Sequence, residues 1–289
     1  MNFIRKLQAL FRKAEHLLLP ALEEKTKVSG TALNELLIRS LLSDPKYAEP
    51  NRLEPYGFKV YSQNDEDGIV QEIFNRIGAV SRTFVEFGVG DGLENNTAYL
   101  LMQGWKGYWI EGSPTCVSSI KKIYKRAIDR SQLIVENAFI TKNNINSLIN
   151  NSLWGGAIVD LLSIDIDGND YYVWENIKCI NPRVVIVEYN GKFPPPCRFV
   201  MEYDEAHCWD GSDKVGMSLQ AAADLGESLG YQLVGTNLNG VNAFFVRKDI
   251  IQASEKDIFP IPATAANLFN PARYYLKQTC GHFPKHFLG

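Results

Sequence analysis

The residues best suited to chemistry begin with the pattern Glu86-x-Gly88-x-Gly90-x-Gly92 inside "TFVEFGVGDGLENN". Three glycines in five residues, directly behind an apolar run, let a nucleotide approach the backbone of a tight turn. A second acid, Glu111 in "GYWIEG", follows 19 residues after Gly92 and suits the hydroxyls of a ribose. Further on, "LLSIDIDGND" supplies Asp165 and Asp167, and "VVIVEYNGK" supplies Glu188 and Asn190. His207, in "YDEAHCWDGSD", is the only histidine between His16 and His282. Histidine is the side chain best matched to proton transfer near neutral pH. Each of these has a plainer reading: glycines of a turn without ligand, acids such as Asp170 capping helices, and a histidine exposed on a loop.

Elements that alternate in type must position these residues. Apolar strand-like runs "TFVEFGV", "GYWIEG", "QLIVENAFI", "LLSIDID" and "RVVIVEYN" are separated by helix-like stretches. The helices include "DEDGIVQEIFNRI", with Asp65, Glu66 and Asp67 where a first turn welcomes acids, "TCVSSIKKIYKRAID" and "DYYVWENI". This alternation predicts a doubly wound, mostly parallel α/β sheet. At the end, helix "SLQAAADLGESLG" leads into two strand-like runs around "NLNG", an antiparallel hairpin. The third dinucleotide-fingerprint position is Leu93 rather than a small residue, so the glycine spacing and the hairpin argue against that fold. Residues 191–217 form a long stretch with "FPPP" and several aromatics, which reads as a lid.

Bulk composition limits the partners. Thirty basic against 33 acidic residues give a net charge of −3, which supplies no basic field for nucleic acid. Five cysteines, odd in number and never spaced as CxxC, suit reduced thiols in the cytoplasm. No apolar run reaches the length of a membrane span, and charges interrupt the first residues where a signal peptide would need an apolar core. Phe3, Ile4, Leu7, Leu10 and Phe11 recur at helical spacing, for packing on the domain, on a second subunit or on a membrane surface. "CGHFPKH" near the C-terminus has no second ligand cluster to complete a zinc site.

Taken together, "VEFGVGDG", "YWIEG", "VENAFI" and "LLSIDIDGND" resemble the class I S-adenosylmethionine (SAM)-dependent methyltransferases over residues 58–248. "YSQNDEDG", "FVEFGVGDGLENNT" and "LSIDIDGNDYYVW" look like a bacterial branch related to the FkbM-type O-methyltransferases. The resemblance implies a seven-stranded Rossmann-like sheet and SAM held by Gln63, Glu86, Gly88, Gly90, Gly92, Glu111, Asn137, Ala138 and Asp165. Asp165, Asp167, Glu188 and Asn190 are also similar to the Mg²⁺ ligands of cation-dependent O-methyltransferases. An all-oxygen set suits a hard cation. In the other reading, one acid binds the SAM amino group and the rest cap helices.

The expected organisation is a helical extension over 1–54, a methyltransferase domain over 55–250 and a C-terminal extension over 251–289. The expected activity is O-methylation of a small polar acceptor such as a sugar or glycan-precursor hydroxyl, with His207 and Asp167 as catalytic candidates. A SAM-binding module without turnover and a dinucleotide-dependent oxidoreductase are the alternatives. The N-terminal helices offer a surface for a homo-oligomer.

Overall fold

Strands β1 (Thr83–Phe87), β2 (Lys106–Glu111), β3 (Leu133–Asn137), β4 (Leu161–Ile164), β5 (Val184–Glu188), β6 (Tyr231–Thr236) and β7 (Asn242–Arg247) join in one sheet, ordered β3-β2-β1-β4-β5-β7-β6. The computed structural model describes residues 30–151 and 158–276. The first five strands run parallel, and β7 is antiparallel to both β5 and β6. This is the mostly parallel, doubly wound sheet with a terminal hairpin that the alternating pattern predicts. The chain moves outward from β1 to β3, then returns to place β4 on the other side of β1. That reversal opens a crevice beyond the carboxyl ends of β1 and β4.

The helices are α1 (residues 30–42), α2 (Glu66–Ile77), α3 (Ala98–Met102), α4 (Pro114–Ile123), α5 (Lys125–Asp129), α6 (Ile145–Asn151), α7 (Asp170–Asn176), α8 (Leu219–Ser228), α9 (Lys248–Gln252) and α10 (Ala265–Leu268). Strand side chains alternate between two buried layers, because successive Cβ atoms point to opposite faces. Val85, Phe87, Ile110, Leu162 and Val185 pack with Val173, Trp174, Leu219 and Leu225 on one face. Phe84, Trp109, Leu161 and Ile186 pack with Ile69, Ile73, Leu101 and Ile120 on the other.

Two local readings need correction. "TCVSSIKKIYKRAID" is two helices broken at Tyr124, whose hydroxyl turns inward to donate to Gly92 O at 2.6 Å. "LLSIDID" leaves the sheet after Ile164, because Asp167 takes a left-handed φ of 55°. The acids expected at the start of α2 are there, and they are buried. Glu66 accepts from the side-chain amides of Asn237 and Asn242 at 2.8 and 2.9 Å, and Asp65 accepts from Leu238 N at 3.2 Å. They fasten the hairpin to the helix.

The described parts of both extensions pack into this body. Arg52 donates to Asn267 O at 2.9 Å, Tyr47 to Asn270 Oδ1 at 2.6 Å and Lys46 to Phe269 O at 2.6 Å. Leu53 and Phe259 sit in the same buried layer as α2. The amphipathic residues 3–11 and the stretch "CGHFPKH" lie outside the described residues. Among the described residues, no helix is long and apolar enough to cross a membrane, and Cys116, Cys179, Cys197 and Cys208 are free thiols.

Candidate active site

Behind the glycine turn, the buried carboxylate of Glu86 accepts from Asn96 N at 2.8 Å and from the Thr97 hydroxyl. The Thr97 oxygen accepts from Trp109 Nε1 at 2.8 Å. Burial pushes the Glu86 carboxyl up to about 7, against the pull of those donors. Glu86 therefore shapes the turn from inside the protein. Asn96 and Thr97, which do this with it, lie beyond the glycine pattern and at the end of the motif "FVEFGVGDGLENNT".

The glycines do different work. At Gly88 (φ 70°) a Cβ would come within 1.6 Å of Asp165 O, so this residue lets the ends of β1 and β4 close up. At Gly90 (φ 56°) a Cβ would meet nothing within 4 Å. Gly90 therefore presents bare backbone to the crevice. Gly92 packs under Ile120, Tyr124 and Trp109.

Glu111, at the end of β2, accepts from Gly90 N at 2.9 Å through one oxygen and from Ser113 N at 2.7 Å through the other. Each oxygen keeps acceptor capacity for a further donor, as a carboxylate has about four such positions. Asn137 fastens the neighbouring strand end by donating to Glu111 O at 2.8 Å and Gly112 O at 3.1 Å, and Ala138 N donates to Glu111 O at 3.1 Å. Beside them, Phe139 is a half-exposed ring next to Gly112, a flat apolar surface that the strand pattern alone does not single out. Gln63 is exposed on the loop before α2, and its carbonyl accepts from Lys59 Nζ at 3.0 Å.

Beyond β4 and β5, one oxygen each of Asp165, Asp167 and Glu188 lies within 4.8 Å of the others. Burial, with Asp170 and Asp167 adding, holds the Asp165 carboxyl well above the usual range. Burial, with Asp165, Asp170 and Asp167 adding, does the same for Glu188. Like charges this close resist full ionisation, so the cluster is suited to retain a proton or attract a positive charge. Asp170 supports it from behind: its carboxylate accepts from Ile166 N at 3.0 Å and Gly168 N at 2.9 Å, and burial leaves it at about 6. It thus binds the turn that precedes α7 rather than the first amides of that helix.

Asn190, just past the end of the fifth strand, has hydrogen bonds of its own. Its amide nitrogen donates to Asp213 O at 2.9 Å and Val215 O at 3.2 Å, and its oxygen accepts from Lys192 N at 3.2 Å. It ties together the two ends of the segment 191–217.

That segment crosses the crevice. Asn169 Nδ2 donates to Asp204 O at 2.7 Å, Tyr172 donates to Met201 O at 2.8 Å and Asn143 donates to Glu205 at 3.2 Å. Lys142 stands 3.9 Å over the Tyr203 ring, so Tyr203 pins the segment while Trp209 stays exposed. His207 lies against Gly168, with Nε2 3.0 Å from Asp167 O. A carbonyl oxygen only accepts, so Nε2 carries the proton, and the neutral ring has its lone pair on Nδ1. The structure thus brings His207 to the Asp167 backbone, above the carboxylate cluster.

No family model matches the sequence, and no curated protein matches it. Among solved structures, the chain is similar to the methyltransferase domain of bacterial CtHen1, at 14% identity over 63% of this chain and 97% of that one, with a TM-score of 0.41. It is similar to the glycopeptide N-methyltransferase MtfA complexed with SAM, at 12% identity over 62% and 86% of the two chains, TM-score 0.37. A third is a putative caffeoyl-CoA O-methyltransferase from Staphylococcus aureus, at 12% identity over 62% and 81%, TM-score 0.42.

Proposed function

We propose that this protein is a SAM-dependent O-methyltransferase acting on a saccharide or glycan-precursor hydroxyl. The observation that carries this reading is the pairing of Gly90 and Glu111. A bare, left-handed glycine opens on the crevice, and its N–H holds a strand-end carboxylate beside that opening. This is a cradle for a nucleoside, with Glu111 accepting from the two ribose hydroxyls and Phe139 and Ala138 flanking the base. We assign the charged amino-acid end to Gln63 and Asp165, the latter lying next to Gly88.

When bound, SAM supplies an electrophilic methyl carbon that leaves sulfur without its electron pair. The protein's task is alignment and proton management. The acceptor hydroxyl must lose its proton as the new C–O bond forms. His207 Nδ1 is the candidate base, because its Nε2 is committed to the Asp167 carbonyl. Asp167, beside Asp165 and Glu188, is the second candidate, and the negative charge that the cluster carries would offset developing positive charge on the imidazole.

The same cluster favours a second reading of its role, as ligands of a hard cation. Three carboxylate oxygens within 4.8 Å of one another are the kind of set a hard cation takes. Such an ion would polarise the acceptor oxygen.

Transfer of radiolabel from methyl-labelled SAM into fractionated cell extract tests the proposal. The expected result is label in a saccharide-bearing fraction, lost when that fraction is first oxidised with periodate, which cleaves vicinal diols. His207→Ala should keep SAM affinity and slow transfer by roughly 10²–10⁴. Turnover unchanged by EDTA would remove the cation. SAM binding with no transfer to any fraction would leave a binding module.

A further inference from the structure

We propose that Asn169 is a positioning residue that seats the His207 ring on the turn after β4; this rests on the methyl-transfer reading above. Three consecutive residues of that turn each meet the segment 191–217 in a different way. The Asp167 carbonyl faces His207 Nε2 at 3.0 Å. Gly168 has no side chain to keep the imidazole away: a Cβ there would come 2.5 Å from His207 Cδ2 and 2.6 Å from Nε2. Asn169, only 4% exposed, donates from Nδ2 to Asp204 O at 2.7 Å. The turn itself is held from behind, because the Asp170 carboxylate accepts from Ile166 N and Gly168 N.

Asp204 carries the anchor to the ring. Its carbonyl also accepts from His207 N at 3.0 Å, and its carboxylate accepts from Ala206 N at 3.0 Å. A carbonyl oxygen has two lone pairs, so one atom takes both the Asn169 and the His207 bonds. The backbone of His207 is thus tied to the Asn169 amide through a single shared oxygen. Tyr172 and Asn143 also hold the segment, at Met201 O and at the Glu205 side chain, but neither bonds to the main chain of 204–207. Asn169 does little else with its side chain. It begins α7 without a side-chain capping bond, and its buried Oδ1 has no partner among the described residues. An unpaired buried acceptor costs stability, so the amide contributes here through Nδ2. Alanine at 169 removes the tie to Asp204 without removing a cap, which separates positioning from folding.

The test follows label transfer from methyl-labelled SAM to the extract fraction that accepts it, using the full chain in two backgrounds. Asn169→Ala should slow transfer at a saturating amount of that fraction about tenfold, the loss expected when one positioning hydrogen bond goes. SAM affinity by calorimetry should stay within about twofold. In a His207→Ala background the same substitution should slow transfer by no more than about twofold, because no ring is left to position. Equal losses in both backgrounds, or an Asn169→Ala protein as fast as the parent, overturn the proposal. Nitrogen NMR of the histidines gives a readout that needs no acceptor. The His207 signal, assigned by its absence from His207→Ala, should show the proton on Nε2 in the parent and a mixture of tautomers in Asn169→Ala. An Asn169→Ala signal identical to the parent's overturns the proposal and leaves the methyl-transfer reading intact. Wild-type protein that binds SAM but labels no fraction brings down that reading instead, and the NMR comparison still decides the seating of His207.

Discussion

At the scale of single residues, the carboxyl groups around the crevice define both chemistry and pH behaviour. Burial holds Glu86 at about 7, Asp65 at about 7 and Asp170 at about 6. In each case the folded value lies above the unfolded one, so the folded state binds the proton more readily. Their stabilising protonation is complete below the unfolded values and is lost as pH rises through the folded ones. For Glu86 the shift from 4.5 to about 7 corresponds to an upper bound on the order of 3 kcal/mol. The melting temperature should therefore fall between pH 5 and 8, and Glu86→Gln should show a shallower fall in the same thermal-unfolding series. Parallel slopes would remove Glu86 as a contributor. The residue types at 86, 111, 165, 167 and 188 were legible as a chemical set. The commitment of Asn190 to Asp213 and Val215 was not, because those partners are carbonyls that no side-chain pattern reveals.

At the scale of elements, the turn after β1 separates packing from binding. Gly88→Ala places a methyl against the Asp165 carbonyl at 1.6 Å, and the variant should fail to fold or melt far below the parent. Gly90→Ala meets no atom and costs only its left-handed conformation, about 1–2 kcal/mol. That variant should fold yet lose most of its SAM affinity, because its methyl enters the crevice. Circular dichroism melts and titration calorimetry on the pair check this. A Gly90→Ala protein with parental affinity would move the cofactor elsewhere. Strand order and the terminal hairpin follow from patterns within each segment, so they could be read early. The break at Tyr124 and the inward turn of Asp65 and Glu66 could not. Both depend on partners distant in the chain, Gly92 for the first and residues 237–242 for the second.

At the scale of the whole molecule, one sheet carries the proposed nucleoside cradle on its β2 side and the carboxylate cluster beyond β4 and β5. Segments 191–217 and 270–276 lie along its carboxyl edge. Neither the path of the first to Lys142 and Asn143 nor the return of the second onto Gly191 and Gly240 has a periodicity to betray it, since both are irregular chain. The proposed cofactor site stands at the centre of this arrangement. Isothermal titration of the full chain with SAM and with its demethylated product tests it most directly. One site per chain should be filled by both ligands, and Glu111→Ala, which removes the ribose acceptor, should bind at least about tenfold more weakly while melting as a folded protein. A folded wild-type protein that gives no heat with either ligand would contradict the account.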